Sequence, residues 1–314
     1  MLKGCAFAAI LHLFFTTIST VIIKEKHTQD VFDIKLIRER KDEDLEFAAK
    51  WHTPVMSTFW EPVPGGCCGA SEEGHNKLIA TWKSSWEKRG WETRILTLDD
   101  AMRHPDFDKL EGILQQLEVN DYNRRCFYRW LAMSVVGGGW MSDYDTFPLR
   151  KIEAEVGARL GRNGKFTSFE GHVPCLISAN ADEWEKIAQE MIKRLSKRTV
   201  EDGFTSDMLI LLDIKESMGK RAGRFGSNLI TNLDTTYKRI KDYSNRKVNC
   251  GALENKIAVH FSHGSVKKAI DHGQYPIKIN AGDYDAATEV RADAARLFLD
   301  DYHQQCEMAD KKSK

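Results

Sequence analysis

The chain has 314 residues, 42% of them hydrophobic, which excludes an intrinsically disordered protein and supports one large packed domain or two small ones. Its 46 basic and 46 acidic side chains give a formal net charge of zero. The chain therefore lacks the strong positive charge of a nucleic-acid-binding protein, and we expect no nucleic-acid partner.

The first 50 residues are predicted to lie outside the folded domain. No formally charged residue occurs from Gly4 to Ile23, and about 20 largely apolar residues in a helix are long enough to cross a bilayer. Residues 1–23 are therefore predicted to form an uncleaved signal anchor, with a cleaved signal peptide or a buried helix as the alternatives. The charge-dense residues 24–50 are predicted to form a stem.

Strand and helix patterns alternate in the next part of the chain. Residues 53–60 are rich in β-forming side chains and predict a first strand. Residues 71–90 carry apolar side chains at helical spacing, and residues 91–98 predict a second strand. The order strand, helix, strand predicts a parallel sheet that is covered by helices.

A second clear helical pattern spans residues 121–136 and ends at Gly137, a residue type expected at a helix C-terminus. Arg125 and Arg129 are four residues apart in this helix and therefore share a face. The later predicted elements are a strand at 167–179, helices at 182–197 and 206–214, and a strand at 257–262. The folded domain is predicted to span residues 51–305, followed by a charged tail at 306–314.

The stretch GGGWMSDYDTFPL, residues 137–149, places Asp143 and Asp145 at the end of an apolar run. In an extended segment residues i and i+2 point to the same side, so the two carboxylates converge. Converging anions repel each other unless a cation lies between them, and Mn²⁺ or Mg²⁺ suits carboxylate ligands and can keep positions open for phosphate oxygens. The sequence therefore predicts a metal site, and the glycines beside it would let a bulky ligand approach the backbone.

At these residues the sequence resembles the DXD sugar-binding region of glycosyltransferase family 32. That family includes Golgi outer-chain α-1,6-mannosyltransferases, α-1,4-glycosyltransferases and capsular-polysaccharide synthases. The corresponding residues here are Arg129-Trp130, the glycine pair Gly138-Gly139 or Gly137-Gly138, Trp140, and Asp143-Tyr144-Asp145. One extra residue separates Arg129 from Asp143, so Arg125 is a second candidate for the donor-contacting arginine.

Two further stretches are similar to the same family. Trp60 matches the tryptophan that ends the family's first strand, and residues 259–266 look like its C-terminal Val-His-x-Phe-x-Gly-Ser-Trp. His260 then corresponds to the histidine that closes the metal and diphosphate site, while Val266 replaces the usual tryptophan. Because imidazole is a good Mn²⁺ ligand beside carboxylates, His260 is also a candidate ligand by its chemistry, with His263 as a second candidate.

The resemblance implies a GT-A-like, Rossmann-type mixed sheet flanked by helices, behind an N-terminal transmembrane helix. It implies metal-dependent sugar transfer, with retention, from a UDP- or GDP-sugar to a glycan, a glycolipid or another hydroxyl acceptor. It also implies a single-pass type II protein of the Golgi membrane, with secretion or the lumen of the endoplasmic reticulum as alternatives. Six cysteines follow the predicted anchor, an even number that permits disulfides without naming a pairing.

The predicted roles follow from the negative charge that builds on the leaving diphosphate, which a metal and positioned cations stabilise. Asp143 and Asp145 are predicted to be catalytic, and Asp207 is a candidate on the acceptor side, with a helix N-cap role as its alternative. The predicted metal ligands are Asp143, Asp145, His260 and His263. The predicted donor-binding residues are Trp60, Arg125, Arg129, Gly138, Gly139, Tyr144 and Lys267.

Two other function classes compete with this interpretation. Phosphatases of the haloacid-dehalogenase type carry Asp-x-Asp-x-Thr after an apolar strand, but here Thr146 comes one position early. A membrane-anchored sugar-binding pseudoenzyme could keep the metal site without catalysing transfer.

Overall fold

The computed structural model describes residues 54–63, 70–149, 160–217, 247–254, 256–273, 275–280 and 283–308, which all belong to one compact unit. The predicted signal anchor, the predicted stem and residues 309–314 of the predicted tail lie outside the described residues. Within the described ranges, no helix has both the length and the apolar character needed to cross a membrane.

A five-stranded mixed sheet forms the centre of the fold. Its strands are β1 (Val55–Phe59), β2 (Glu92–Leu96), β3 (Gly138–Ser142), β5 (Thr167–Glu170) and β6 (Val173–Asn180), in the order β2-β1-β3-β6-β5. Strand β1 pairs in parallel with β2 and β3, with Met56 opposite Thr93 and Trp140. Strand β6 pairs antiparallel with β3 and β5. The predicted parallel pairing is confirmed for β1 and β2, and the sheet as a whole is mixed.

The segment predicted as one strand at 167–179 is instead the β-hairpin of β5 and β6, so that prediction was wrong. The chain reverses at Gly171, whose φ of 67° lies in the left-handed region that glycine adopts at little cost. Only two residues, Gly171 and His172, separate the strands, which is why the two apolar runs looked continuous in the sequence.

Helices cover both faces of the sheet. They are α1 (Glu72–Lys88), α2 (Leu98–Met102), α3 (Phe107–Gln116), α4 (Asp121–Val135), α5 (Ala181–Leu195), α6 (Asp207–Ser217), α7 (Cys250–Leu253), α8 (His263–Asp271), α9 (Tyr284–Glu289) and α10 (Arg291–Tyr302). Side chains cap the starts of several of these helices, since Ser71, Asn120, Asn180, Asn249 and Asp283 each accept a backbone N–H from the first turn.

The side-chain alternation along β3 divides the core into two clusters. Trp140 packs in the cluster that contains Trp82 and Trp86 of α1, whereas the next residue, Met141, packs in the cluster that contains α4 and α5. Successive side chains of a strand point to opposite faces, so helices on both sides bury most of this strand. As a result, the residues that follow β3 emerge at the edge of a packed core.

A small second sheet brings distant parts of the chain together. Strand β4 (Thr146–Pro148) pairs antiparallel with β7 (Ala258–His260), with Thr146 opposite His260. The backbone N–H of Phe261 donates to the carbonyl of Asp145 at 2.8 Å. This pairing places the late strand beside the acidic turn after β3.

A disulfide joins Cys250 at the start of α7 to Cys306, 56 residues later. Cys306 lies in the π-helical turn His303–Glu307 that follows α10 and is buried. The described structure therefore continues past Gln305, where the sequence predicted the end of the domain. Closing a loop of this length stabilises the folded state by about 4 kcal/mol in the chain-entropy estimate.

Candidate functional site

Asp143 and Asp145 lie in the tight connection between β3 and β4. The backbone N–H of Asp143 donates to the Cys175 carbonyl at 2.9 Å, and the N–H of Thr146 donates back to the Asp143 carbonyl at 3.0 Å. The two acids line a cavity of about 610 Å³, which Phe59 and Trp60 at the end of β1 also line. The site therefore sits beyond the carboxyl ends of parallel strands, where α/β sheets commonly bind ligands.

Two buried tryptophans of α1 form hydrogen bonds with the two ends of this connection. The Trp82 indole N–H donates to the hydroxyl of Ser142 at 2.8 Å, and the Trp86 indole N–H donates to the carbonyl of Thr146 at 3.0 Å. Both rings are fully buried. The residues just before and just after the two acids are thus fixed to a packed helix, which preorganises the acids between them.

The structure brings Asp143, Asp145 and His260 together. One oxygen of each carboxylate and one ring nitrogen of His260 lie within 4.8 Å of one another. Asp145 Oδ1 lies 3.4 Å from His260 Nε2, is buried, and makes no hydrogen bond within the described residues. A buried acceptor of this kind, beside an imidazole and a second carboxylate, fits a divalent cation such as Mn²⁺ or Mg²⁺.

Asp145 is surrounded by positive partners from the C-terminal part of the chain. Its Oδ2 accepts from Arg291 Nη1 at 2.8 Å, and Arg291 is 1% exposed. Burial by itself would raise the pKa of Asp145, but the charges of His260 and Arg291 hold that pKa well below its usual range. This carboxylate therefore stays ionised inside the protein.

Asp143 has a different environment, which includes Arg129 and Asp207. The Arg129 guanidinium donates to Asp143 Oδ1 and, through Nε at 3.0 Å, to Asp207 Oδ2. Asp207 also accepts from the Trp130 indole N–H at 3.1 Å. Burial raises the pKa of Asp143 to about 6, although the Arg129 charge opposes this shift.

Glu170 fixes the orientation of His260. Its Oε2 lies 2.7 Å from His260 Nδ1 and also accepts from the Cys175 thiol at 2.8 Å. With Nδ1 engaged by a carboxylate, the other ring nitrogen, Nε2, faces Asp145. Burial would lower the pKa of His260, but Cys175 and Asp145 raise it well above its usual value.

The two candidate arginines have separate roles. Arg129 is buried against Asp143, as described above. Arg125, one turn earlier, donates to the carbonyl of Pro62 at 2.8 and 3.1 Å and to the carbonyl of Asp121 at 2.8 Å. Both arginines line the cavity, but Arg129 contacts the carboxylates while Arg125 anchors the segment after β1.

Trp60 and Tyr144 form an aromatic wall of the cavity, and His75 packs against both of their rings. The ring centres of Trp60 and Tyr144 lie 5.3 Å apart and those of Trp60 and His75 lie 4.7 Å apart. The Tyr144 hydroxyl is 3.4 Å from His75 Nδ1. Both predicted donor-binding aromatic residues, Trp60 and Tyr144, therefore face the same space as the acids.

Asp207 and His263 also line the cavity. Asp207 is 2% exposed and is the first residue of α6, while the hydroxyl of Ser206 accepts the Leu209 N–H at 3.4 Å as a cap. Among the described residues, the cluster of possible metal ligands formed by Asp143, Asp145 and His260 does not include His263. Burial and then the Arg291 charge lower the pKa of His263 to about 3, so its imidazole is neutral.

Three predicted donor-binding residues are not among the described residues that line the cavity. Lys267 pairs with Asp271 in the next turn of α8. Gly138 has a φ of 75°, and a Cβ there would lie 2.8 Å from the backbone N of Ala181. Gly138 therefore permits close packing of β3 on α5, and Gly139 also lies in β3, before the acids.

Sequence reasoning missed Glu170 and Arg291. Glu170 is the last residue of β5 and carried no motif. Arg291 did have a usable signal, because it lies on one face of α10 with the buried residues Ala295, Phe298 and Tyr302. A charged residue at a core position of an amphipathic helix indicates a buried partner.

The fold and site define a mixed α/β protein with a candidate acidic and imidazole metal centre at the carboxyl edge of its sheet. Residues 58–280 match the family described as Domain of unknown function (DUF8765), and the chain belongs to this family. The matched region contains Asp143, Asp145, Glu170 and His260, whereas Arg291 and Cys306 lie beyond it. No curated protein matches the chain.

Proposed function

We propose that this protein is a metal-dependent glycosyltransferase with a GT-A-like fold, which moves a sugar from a UDP- or GDP-sugar to a hydroxyl group of a glycan or glycolipid. One observation carries the proposal. The carboxylates of Asp143 and Asp145 and the imidazole of His260 converge within 4.8 Å at the wall of a large cavity. Asp143, Asp145 and His260 would hold Mn²⁺ or Mg²⁺, which supplies positive charge for a leaving diphosphate.

The shape of the cavity supports a nucleotide-sugar donor. Its volume of about 610 Å³ lies within the usual range for small-molecule sites. The aromatic residues Trp60 and Tyr144, on which a base could stack, line the same cavity as the acids. A donor that spans the cavity would present its base to the aromatic wall and its diphosphate to the acids.

The chain's own residues have distinct tasks in this proposal. Arg129 holds Asp143, Arg291 holds one oxygen of Asp145, and Glu170 holds the ring of His260. Because these partners are themselves buried or hydrogen-bonded, the ligand atoms need little rearrangement when a donor binds. Retention at the anomeric carbon is proposed from the family resemblance alone.

The disulfide between Cys250 and Cys306 supports a lumenal or extracellular location, because disulfides persist in oxidising compartments. Together with the apolar N-terminal stretch, the disulfide favours a type II protein of the Golgi membrane. The segment from Gly4 to Ile23 would cross that membrane.

The proposal is tested by a screen for Mn²⁺-dependent release of nucleotide from UDP-, GDP- and CMP-sugars, with and without sugar acceptors. We expect one donor class to be hydrolysed or transferred, with the rate lowered at least about 100-fold by Asp145→Asn, or about 2.7 kcal/mol. Asp108→Asn, an exposed aspartate in the first turn of α3, is the matched control and should leave the rate unchanged.

A sugar-binding protein without transferase activity is the second candidate. The position of Val266 favours it, because this side chain is fully buried in the core and does not form the cavity wall that the family's tryptophan would form. Sugar binding that persists while the wild type and Asp145→Asn are equally inert toward all donors would establish this alternative. Release of inorganic phosphate from phosphate esters, without nucleotide release, would instead support a phosphatase.

A further inference from the structure

A second group of possible ligand atoms shares His260 with the candidate metal site. One side-chain atom each from Glu170, Cys175 and His260 lies within 4.8 Å of the others. Glu170 Oε2 is 2.7 Å from His260 Nδ1 and 2.8 Å from Cys175 Sγ. Cys175 is fully buried and forms no disulfide. The proposed transferase uses Glu170 only to orient His260 and gives the thiol no task.

Three strands supply these three side chains. Glu170 ends β5, Cys175 lies in β6, and His260 ends β7. Strand β6 pairs with both β3 and β5, and β7 pairs with β4. The positions of the donor atoms are therefore set by backbone pairing, which is the rigid support that a metal site requires.

We propose that Glu170, Cys175 and His260 form a second cation site, which is selective for a thiophilic divalent cation such as Zn²⁺. Thiolate and imidazole ligands favour zinc over magnesium and manganese, whereas the carboxylate pair of the first site has the opposite preference. Zinc bonds to sulfur at about 2.3 Å and to nitrogen at about 2.0 Å, so donors that share one ion lie within about 4 Å of each other. The present spacing needs only small adjustments.

Zinc can bind at this buried site without a change in the net charge of the cluster. The incoming ion replaces two protons, one on Cys175 Sγ and one on His260 Nδ1, and both protons leave to solvent. Two positive charges are exchanged for two, so the net charge of the cluster does not change. The large cost of burying an additional unpaired charge is thereby avoided.

Occupation of this site would affect the first site through His260, a consequence that rests on the proposed function. When Nδ1 binds zinc, the remaining ring proton is on Nε2, which lies 3.4 Å from Asp145 Oδ1. A protonated nitrogen cannot act as a metal ligand. Zinc at the second site and manganese at the first site therefore compete for one imidazole, and zinc would inhibit the transferase.

The thiolate site is tested with Co²⁺, a spectroscopic substitute for Zn²⁺, added anaerobically to the full chain. We expect a thiolate-to-cobalt charge-transfer band that one equivalent of Zn²⁺ abolishes. The band should disappear in Cys175→Ser and persist in Cys126→Ser, the other described cysteine outside a disulfide. Absence of the band in the wild type, or its persistence in Cys175→Ser, would overturn the proposal.

Should Cys175→Ser fail to fold, zinc X-ray absorption tests the same ligand in a chain in which Cys5, Cys67, Cys68 and Cys126 are serine. One sulfur at about 2.3 Å supports the site, and a shell of nitrogen and oxygen alone refutes it.

Competition between the two sites is measured by Mn²⁺ electron paramagnetic resonance. Zinc should release bound manganese at least about 10-fold more effectively from the wild type than from Cys175→Ser, and equal potency would mean direct displacement at the first site.

These measurements separate the two proposals. A cobalt–thiolate band in a protein that hydrolyses no donor would leave the zinc site standing and refute the transferase. Donor hydrolysis without the band would support the transferase and refute the zinc site.

Discussion

The turn that carries Asp143 and Asp145 and the C-terminal segment from β7 to α10 build the same site by different means. The turn supplies two carboxylates that are separated by one residue, and the buried tryptophans of α1 hold the turn in place. The C-terminal segment supplies positive partners, namely His260 and the buried Arg291, which are more than 110 residues away in the chain. The environment of each acid therefore depends on which segment supplies its partner.

The two acids illustrate this point, although only one residue separates them. Asp143 contacts Arg129 from the neighbouring helix α4, and burial raises its pKa to about 6. Asp145 contacts the C-terminal segment, whose charges outweigh burial and lower its pKa below the usual range. A carboxylate pair that looks symmetric in the sequence is therefore asymmetric in its electrostatics.

The largest expected effect comes from removing the buried charge that the C-terminal segment supplies. Arg291→Met leaves Asp145 without its guanidinium partner, and we expect the free energy of unfolding to fall by about 3–5 kcal/mol because a buried carboxylate loses one of its two cationic partners. Urea denaturation measures this change. Arg296→Met, which removes an exposed partner of Asp293 in the same helix, should cost less than about 1 kcal/mol. Equal effects of the two substitutions would refute the buried ion pair.

The next effect concerns the covalent attachment of the C-terminal segment. Replacing both Cys250 and Cys306 by serine should lower the free energy of unfolding by about 4 kcal/mol, since the unfolded chain regains the freedom of a 56-residue loop. Thermal unfolding of the oxidised wild type, the reduced wild type and the double variant checks this value. The reduced wild type and the double variant should agree, and an unaffected melting temperature in both would contradict the assignment.

A third prediction sharpens the contrast between the two acids. Asp145→Asn should weaken Mn²⁺ binding about 100-fold and Asp143→Asn about 10-fold, because Asp145 stays ionised and has a buried oxygen without a hydrogen bond in the described residues, whereas burial raises the pKa of Asp143 to about 6. Isothermal titration calorimetry measures both affinities, with Asp108→Asn as the surface control. The opposite order would show that Asp143 is the principal ligand.

The smallest expected effect is a pH dependence that belongs to Asp143. A cation binds the ionised form of the Asp143 carboxylate, whose pKa is about 6. When the pH is below this pKa, the cation must displace a proton from Asp143. Protonation of Asp143 then lowers the affinity for the cation by up to about 10-fold for each pH unit. Mn²⁺ affinity should therefore rise between pH 5 and pH 7. The slope should become shallower in Asp143→Asn while the contribution of His260 remains, and an identical slope in both proteins would contradict the raised pKa.

Local patterns predicted a large part of the fold. Strands β1 and β2 and helices α1, α4, α5 and α6 lie where apolar periodicity and cap residues indicated them. The hairpin of β5 and β6 was missed because its connection is only Gly171 and His172, too short to separate the two apolar runs in the sequence. The pairing of β4 with β7 was also missed, since three-residue strands carry too little periodicity to reveal a partner.

The sequence by itself determined that Asp143 and Asp145 follow a buried strand and that His260 lies on a late strand, because apolar runs are local properties. The two acids lie in a turn, and not in the extended segment that the sequence predicted. Only the tertiary structure decided that Arg129 contacts Asp143 and Asp207 while Arg125 contacts Pro62. It also decided that Glu170 and Arg291 complete the surroundings of His260 and Asp145. The physical reason is that a buried charge takes its partner from whichever segment packs against it, and spacing along the chain does not record that packing.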